Sequence, residues 1–350
     1  MTSTCTLNAP FPWFGGKSRV ANLVWERFGK LDNYVEPFFG SGAVLLNSPR
    51  THRTETINDL DGFVANFWRA VALAPDEVAE HCDWPSNEND LHARHSWIVA
   101  QRGSLTRRLE GAPDFFDAKI AGWWVWGIGL WIGSGFASGK GPWQVVDGQL
   151  LHLGDAGLGV HRQLLHLGDA GLGVHRQLLH LGDAGRGVRR QLLHLGTAGQ
   201  GVHRQRLLDW FGELSERLYR VRVCCGDWSR VCSPTPTVKQ GLTGLFLDPP
   251  YSDDAGRCDE LYANDSLTVA HDVRDWCIER GDDPRIRVAL CGYVGEHDMP
   301  TTWDCVEWKA QGGYASESKQ HDNENARRER IWFSPHCLRG SQGELFGEVR

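Results

Sequence analysis

The chain has 350 residues, 41% of them hydrophobic and 23% charged, with a formal net charge of −7. This fits a globular body of one large or two modest domains, and the acidic balance argues against a general polyanion binder. Met1 to Pro10 is polar and has no basic stretch ahead of an apolar one. No run of about 18 uncharged apolar residues occurs, so neither a secretory signal nor a membrane span is expected.

The ten cysteines are scattered and form no CxxC pair. That excludes the common zinc and redox spacings, and reduced thiols in a cytoplasmic protein without a metal are expected.

Tyr34-Val35-Glu36-Pro37-Phe38-Phe39 reads as a strand. It runs into a glycine turn, Gly40-Ser41-Gly42, and then into a helix start at Ala43. Glu55 to Asp59 reads as a second strand that ends on a carboxylate. The spacing of Phe63, Phe67, Trp68 and Val71 predicts a helix over Gly62 to Leu73. Pro75 to Gly148 is mixed. Its run of Trp123, Trp124, Trp126 and Trp131 fits a buried helix, followed by a glycine-rich loop from Ser134 to Pro142.

A 14-residue repeat comes next. Gln149–Arg162 recurs unchanged as Gln163–Arg176, with close copies at Gln177–Arg190 and Gln191–Arg204. Three glycines in the first unit argue against a long helix. The unit fits a stacked strand-turn array, a series of hairpins or a flexible insert. From Gln149 to Arg206 there are seven arginines and three aspartates, a local balance of +4, which leaves the rest of the chain near −11. An acidic body with a basic insert suits a protein that touches nucleic acid with one segment; it equally suits a solvated basic loop.

Arg206 to Leu218 has helical spacing. Val221–Cys225, Leu245–Leu247, Arg287–Cys291 and Arg330–Phe333 read as strands. Strands alternating with helices predict an α/β sheet covered on both faces. In such sheets ligands gather at the carboxyl ends of the strands, where both the Gly40–Gly42 turn and Asp248-Pro249-Pro250-Tyr251 fall.

That tetrapeptide is the sharpest chemical signal. An exocyclic amine on adenine is a poor nucleophile because its lone pair is delocalised into the ring. Two acceptors can hold its N–H groups and draw the nitrogen toward sp³. Asp248 supplies one through its carboxylate and Pro249 the other through its carbonyl. Pro250 stiffens the backbone, and Tyr251 offers a face on which an extruded base can stack. An ordinary proline turn is the plain alternative. Gly16-Lys17-Ser18 ends like a phosphate loop, but the first glycine that motif requires would fall at Phe11, so a nucleoside triphosphatase is rejected.

In this order, the Trp13-Phe14-Gly15-Gly16-Lys17 start, the Pro37-Phe38-Phe39-Gly40-Ser41-Gly42 turn and the Asp248–Tyr251 tetrapeptide resemble the Dam-like family of DNA adenine-N6 methyltransferases. The resemblance covers Pro10 to Asn66 and about Val221 to Phe333. It implies a Rossmann-like methyltransferase fold, S-adenosylmethionine as cofactor, double-stranded DNA as substrate and an inserted target-recognition region.

By the same resemblance, residues 1–74 and 221–335 form the catalytic domain, 75–220 the recognition region with its repeats, and 336–350 a tail. Trp13, Gly15, Gly16 and Lys17 would meet the cofactor's methionine part. Glu36, Phe38, Gly40, Ser41 and Gly42 would form the cofactor turn, and Asp59 would hold the ribose. Asp227 and Trp228 would flank the cofactor's adenine, while Asp248, Pro249, Pro250 and Tyr251 would bind the target adenine. Arg162, Arg176, Arg189, Arg190 and Arg204 are candidates for phosphate contacts. Arg328 to Pro335 is similar to phage-encoded members, which points to a bacterial or phage-infected cell. The alternatives are the same fold acting on RNA adenine, cytosine N4 or a protein amide, and a binding module that has lost catalysis.

Overall fold

The computed structural model describes residues 7–11, 13, 17–112, 114–131, 136–137, 143–146, 149–152, 202–251, 268–308 and 328–339. Among them, seven strands form one sheet: β1 (Asn33–Glu36), β2 (Thr54–Asp59), β5 (Val221–Cys225), β6 (Thr243–Leu247), β7 (Ile286–Tyr293), β8 (Asp304–Glu307) and β9 (Glu329–Phe333). Their order is β5-β2-β1-β6-β7-β9-β8. All run parallel except β9, which pairs antiparallel with both β7 and β8. This mostly parallel α/β sheet is the expected Rossmann-like methyltransferase fold. A separate hairpin pairs β3 (Trp143–Val146) with β4 (Gln149–His152).

Side chains on these strands alternate between two apolar layers, as the two-residue period of a strand requires. Phe246, Ala289, Cys291, Ile331 and Phe333 enter one layer; Leu245, Leu247, Val288, Leu290 and Trp332 enter the other. The central strands are therefore apolar on both faces, which is why they read as continuous runs rather than as an alternating pattern.

The first layer is closed by α1 (Ala21–Phe28), α2 (Ala43–Leu46), α3 (Gly62–Leu73), α4 (Pro75–Cys82), α5 (Glu88–Gly111), α6 (Ala118–Leu130) and α7 (Val202–Leu218). The second is closed by the short α8 (Ser229–Cys232) and by α9 (Val269–Arg280). Asn66 on α3 makes two hydrogen bonds of 2.8 Å with the Asp117 backbone, tying α3 to the start of α6. The Arg217 guanidinium grips Glu55 at 2.6 and 3.0 Å, clamping α7 to β2. The helices of 75–131 and 202–218 thus share the core with α3.

The helix expected from Arg206 begins at Val202, inside the last repeat unit. The Leu207, Phe211, Leu214 and Leu218 stripe packs on the core and carries the helical turn back past Arg204. At the other end of the repeats, Gln149–His152 is a strand; the units between lie outside the described residues.

Candidate active site

Parallel strands put their carboxyl ends on one edge of the sheet. Strand order reverses between β1 and β6, which pair in register Val35 to Leu245. Glu36 and Leu247 therefore end side by side, and the two loops that follow them, Pro37–Gly42 and Asp248–Tyr251, leave from the same switch point.

The glycine turn is shaped by its aromatics. Gly40 and Gly42 have φ of +47° and +70°, a region costly for residues with a Cβ. A Cβ on Gly40 would lie 2.4 Å from the Trp13 indole nitrogen, and one on Gly42 would lie 2.6 Å from the Phe39 ring. The room the glycines leave is filled here by Trp13 and Phe39, which brings the start of the chain onto the turn. Trp68 Nε1 donates to the Gly40 carbonyl at 2.8 Å from below.

Beside the turn, Asp59 ends β2. Its Oδ2 accepts from Gly40 N at 3.0 Å and its Oδ1 from Asp61 N at 2.9 Å. Burial raises the Asp59 carboxyl to about 7, against the pull of those backbone donors. Neighbouring Asn58 stitches two loops together by donating to Pro37 O at 3.0 Å and Gly226 O at 2.8 Å. Past β5, Trp228 stacks on Phe38 with ring centres 6.2 Å apart and planes 30° apart. The Asp227 carboxylate accepts from Ser229 N at 2.9 Å.

Lys17 is the hub of the adjoining loop. It is buried, and its Nζ lies 3.0 Å from Asp248 Oδ1, 3.0 Å from Tyr251 Oη and 4.0 Å from Glu329 Oε2. Tyr251 Oη donates to Glu329 Oε2 at 2.7 Å and lies 3.4 Å from Asp248 Oδ1. The Tyr251 ring meets Tyr293 edge to face at 4.5 Å. Glu329 reaches this edge because β9 runs backward and pairs its first residue with Tyr293, the last of β7.

Burial raises the carboxyls of Asp248 and Glu329 above their ordinary values, and Lys17 pulls both back. Burial alone would lower the Lys17 ammonium; the charges of Asp248 and Glu329 outweigh it and hold it above its usual range. Glu36 is pushed well up by burial, while Tyr34 Oη donates to it at 2.8 Å.

The structure thus gathers Trp13, Lys17, Glu36, Phe38, Gly40, Asp59, Trp228, Asp248 and Tyr251 on one edge. It sets Lys17 on the tetrapeptide, a contact its motif position did not reveal. Gly15, Gly16, Arg162, Arg176, Arg189 and Arg190 lie outside the described residues. Arg204 pairs on the surface with Glu80 of α4 at 3.0 Å. Glu329 and Tyr293 belong to no motif; the one signal in the sequence is an acid between Arg328 and Arg330 at the head of the apolar run Ile331-Trp332-Phe333. Among the described residues no group of three or more His, Cys, Asp or Glu is placed to hold a metal, and no helix is long and apolar enough to cross a membrane.

The mostly parallel sheet with its loops gathered on one edge has the Rossmann-like arrangement that methyltransferases share. Residues 13–96 match the family model of the D12 class N6 adenine-specific DNA methyltransferases. The match covers 84 of the 350 residues and supports an adenine-specific DNA methyltransferase similar to the Dam-like enzymes. The matched segment ends well before the tetrapeptide, which the fold brings back beside it. No curated protein matches the chain.

Proposed function

We propose that the enzyme transfers a methyl group from S-adenosylmethionine to N6 of an adenine flipped out of duplex DNA into the Asp248–Tyr251 pocket. The observation that carries this reading is the Lys17 ammonium. At 3.0 Å from both Asp248 and Tyr251, it joins the first motif to the tetrapeptide next to the Gly40–Gly42 turn.

The donor set fits the cofactor. A carboxylate has about four acceptor positions; backbone N–H groups of Gly40, Asp61 and Leu60 take part of the Asp59 carboxylate, and what remains would accept from a ribose hydroxyl. The Phe38 and Trp228 rings supply flat faces for an adenine. Ser41, Gly42, Glu36 and the Trp13 side of the turn would hold the remainder. When bound, S-adenosylmethionine supplies a methyl on a cationic sulfur, open to attack by a nitrogen lone pair.

The chain's own part is to position and polarise. Asp248 accepts one N6–H and the Pro249 carbonyl the other, which localises the lone pair. As the N–C bond forms and the C–S bond breaks, positive charge grows on N6 and the Asp248 carboxylate stabilises it. The proton N6 sheds passes to Asp248 and on to water. Lys17 favours the ionised, accepting form of Asp248 against the burial that opposes it. Tyr251 stacks on the base and offsets part of the cost, a few kcal/mol, of extruding it.

In this reading residues 1–74 and 221–335 do the chemistry. Residues 75–220 recognise DNA, with Arg162, Arg176, Arg189, Arg190 and Arg204 as phosphate contacts. Expression in a host free of DNA methylation, followed by direct sequencing of native DNA, tests it. N6-methyladenine at a recurring short word is expected. Unmodified DNA from cells that make folded protein would refute it.

A further inference from the structure

We infer that Glu329 is a positioning residue of the adenine pocket, acting through Tyr251 and Lys17; the inference rests on the function proposed above. Glu329 is nearly inaccessible, 5% of its side chain being exposed, yet it sits among polar groups rather than alone in the core. It accepts the Tyr251 hydroxyl at 2.7 Å, while Lys17 approaches the same hydroxyl at 3.0 Å and Tyr293 abuts the ring edge at 4.5 Å. An aromatic ring that is to stack on a flipped base has two torsions to lose, and these three contacts fix them before the base arrives.

The second effect is electrostatic. Asp248 and Glu329 share one ammonium, 3.0 and 4.0 Å away. Two like charges on one cation compete, so the ionised form of each raises the proton affinity of the other. The groups facing the two carboxylates from neighbouring elements are Lys17, Tyr251, Cys291, Tyr293, Glu296 and, from β1, Glu36. Lys17 is the cation among these six, and no tyrosine or cysteine in the set ionises near neutrality. Asp248 raises Glu329, and Glu296 raises both; because the repulsion of two like charges on one ammonium is mutual, a charge on Glu329 acts on Asp248 in turn.

Two substitutions separate the effects. Glu329→Gln keeps an acceptor for the Tyr251 hydroxyl and removes the charge. Glu329→Ala removes both. The assay is single-turnover transfer of labelled methyl to adenine in duplex DNA, with S-adenosylmethionine saturating at every pH so that titration of Asp59 does not enter, read across pH and normalised to each variant's own maximum. Asp248 must be ionised to accept the N6–H, so transfer falls on the acid side. For Glu329→Gln that acid limb should move down by about one pH unit, the shift expected on removing a neighbouring like charge. For Glu329→Ala the affinity for DNA carrying an unpaired target adenine should fall about tenfold, the scale of a lost hydrogen bond to a charged group. Adding the substitution to Tyr251→Phe should cost little more, because the hydroxyl it serves is already gone.

An unmoved limb in Glu329→Gln, or full additivity with Tyr251→Phe, overturns the inference while labelled adenine from the wild type leaves the proposed function standing. Wild-type protein that labels no adenine overturns both.

Discussion

Replacing Lys17 by Met keeps most of the side-chain volume and removes the one ammonium set between Asp248 and Glu329. Lys17 and Glu329 are each 5% exposed and Asp248 21%, so solvent screens the cluster weakly. Removing one member of a buried ion pair costs about 3–5 kcal/mol, because the partner is left charged and dry. The cost has a pH signature. Asp248 and Glu329 both have raised folded-state pKa values, so their ionised forms oppose folding. That opposition is absent below the ordinary carboxylate range and grows as pH rises through the folded values. Lys17, held above its usual range, is charged throughout and offsets it in the wild type. Thermal unfolding of the two proteins should differ by on the order of 5 °C near pH 8, and the gap should narrow near pH 5. A gap of equal size at both pH values would point to lost packing alone and refute the charge argument.

Other outcomes follow from the same edge of the sheet. Gly40→Ala, which forces a Cβ into the Trp13 indole at φ +47°, should weaken S-adenosylmethionine binding at least about tenfold by calorimetry, the scale of 1–3 kcal/mol of strain. Unchanged affinity would detach the turn from the cofactor. Because burial raises Asp59 to about 7, cofactor affinity should decline as pH falls below that value, and Asp59→Asn should flatten the dependence. A decline that persists in the variant would assign it elsewhere. Arg217→Met, which strips Glu55 of two hydrogen bonds, should destabilise the fold by about 3–5 kcal/mol in denaturant titration; a loss below about 1 kcal/mol would mean that α7 is not clamped to the sheet by charge. Deletion of Gln163–Arg190 should leave cofactor affinity unchanged, and its loss would make the repeats part of the core.

What the sequence disclosed follows from local physics. The runs of β6 and β7 are apolar because both sheet faces are covered. The Gly40–Gly42 turn and the two prolines of the tetrapeptide are visible because their backbones need those residues. The missed elements lack such marks. Strand β8 is an edge strand whose four residues are largely exposed, so no apolar run betrays it. Helix α5 buries Arg94 and His95 beside Ile98 and Leu105, which breaks the apolar stripe by which a helix is recognised. Arg94 is accommodated by the faces of Trp84, Trp123 and Trp126 at 4.3 to 4.8 Å, an environment invisible to spacing. The meeting of Lys17 with Asp248 and Glu329 spans more than 300 residues and is a product of topology. Only the sheet order brings a loop from the start of the chain, the end of β6 and the reversed β9 to one point.

The most direct test of the pocket is transfer of labelled methyl from S-adenosylmethionine to duplex DNA by wild-type protein and by Asp248→Ala, with cofactor binding measured alongside. Wild-type protein should place the label on N6 of adenine. The variant should lose at least about a hundredfold in transfer rate, as when one preorganised hydrogen-bonding group facing the developing charge is removed, while still retaining cofactor. Turnover at the wild-type rate in Asp248→Ala would contradict the assignment of the pocket.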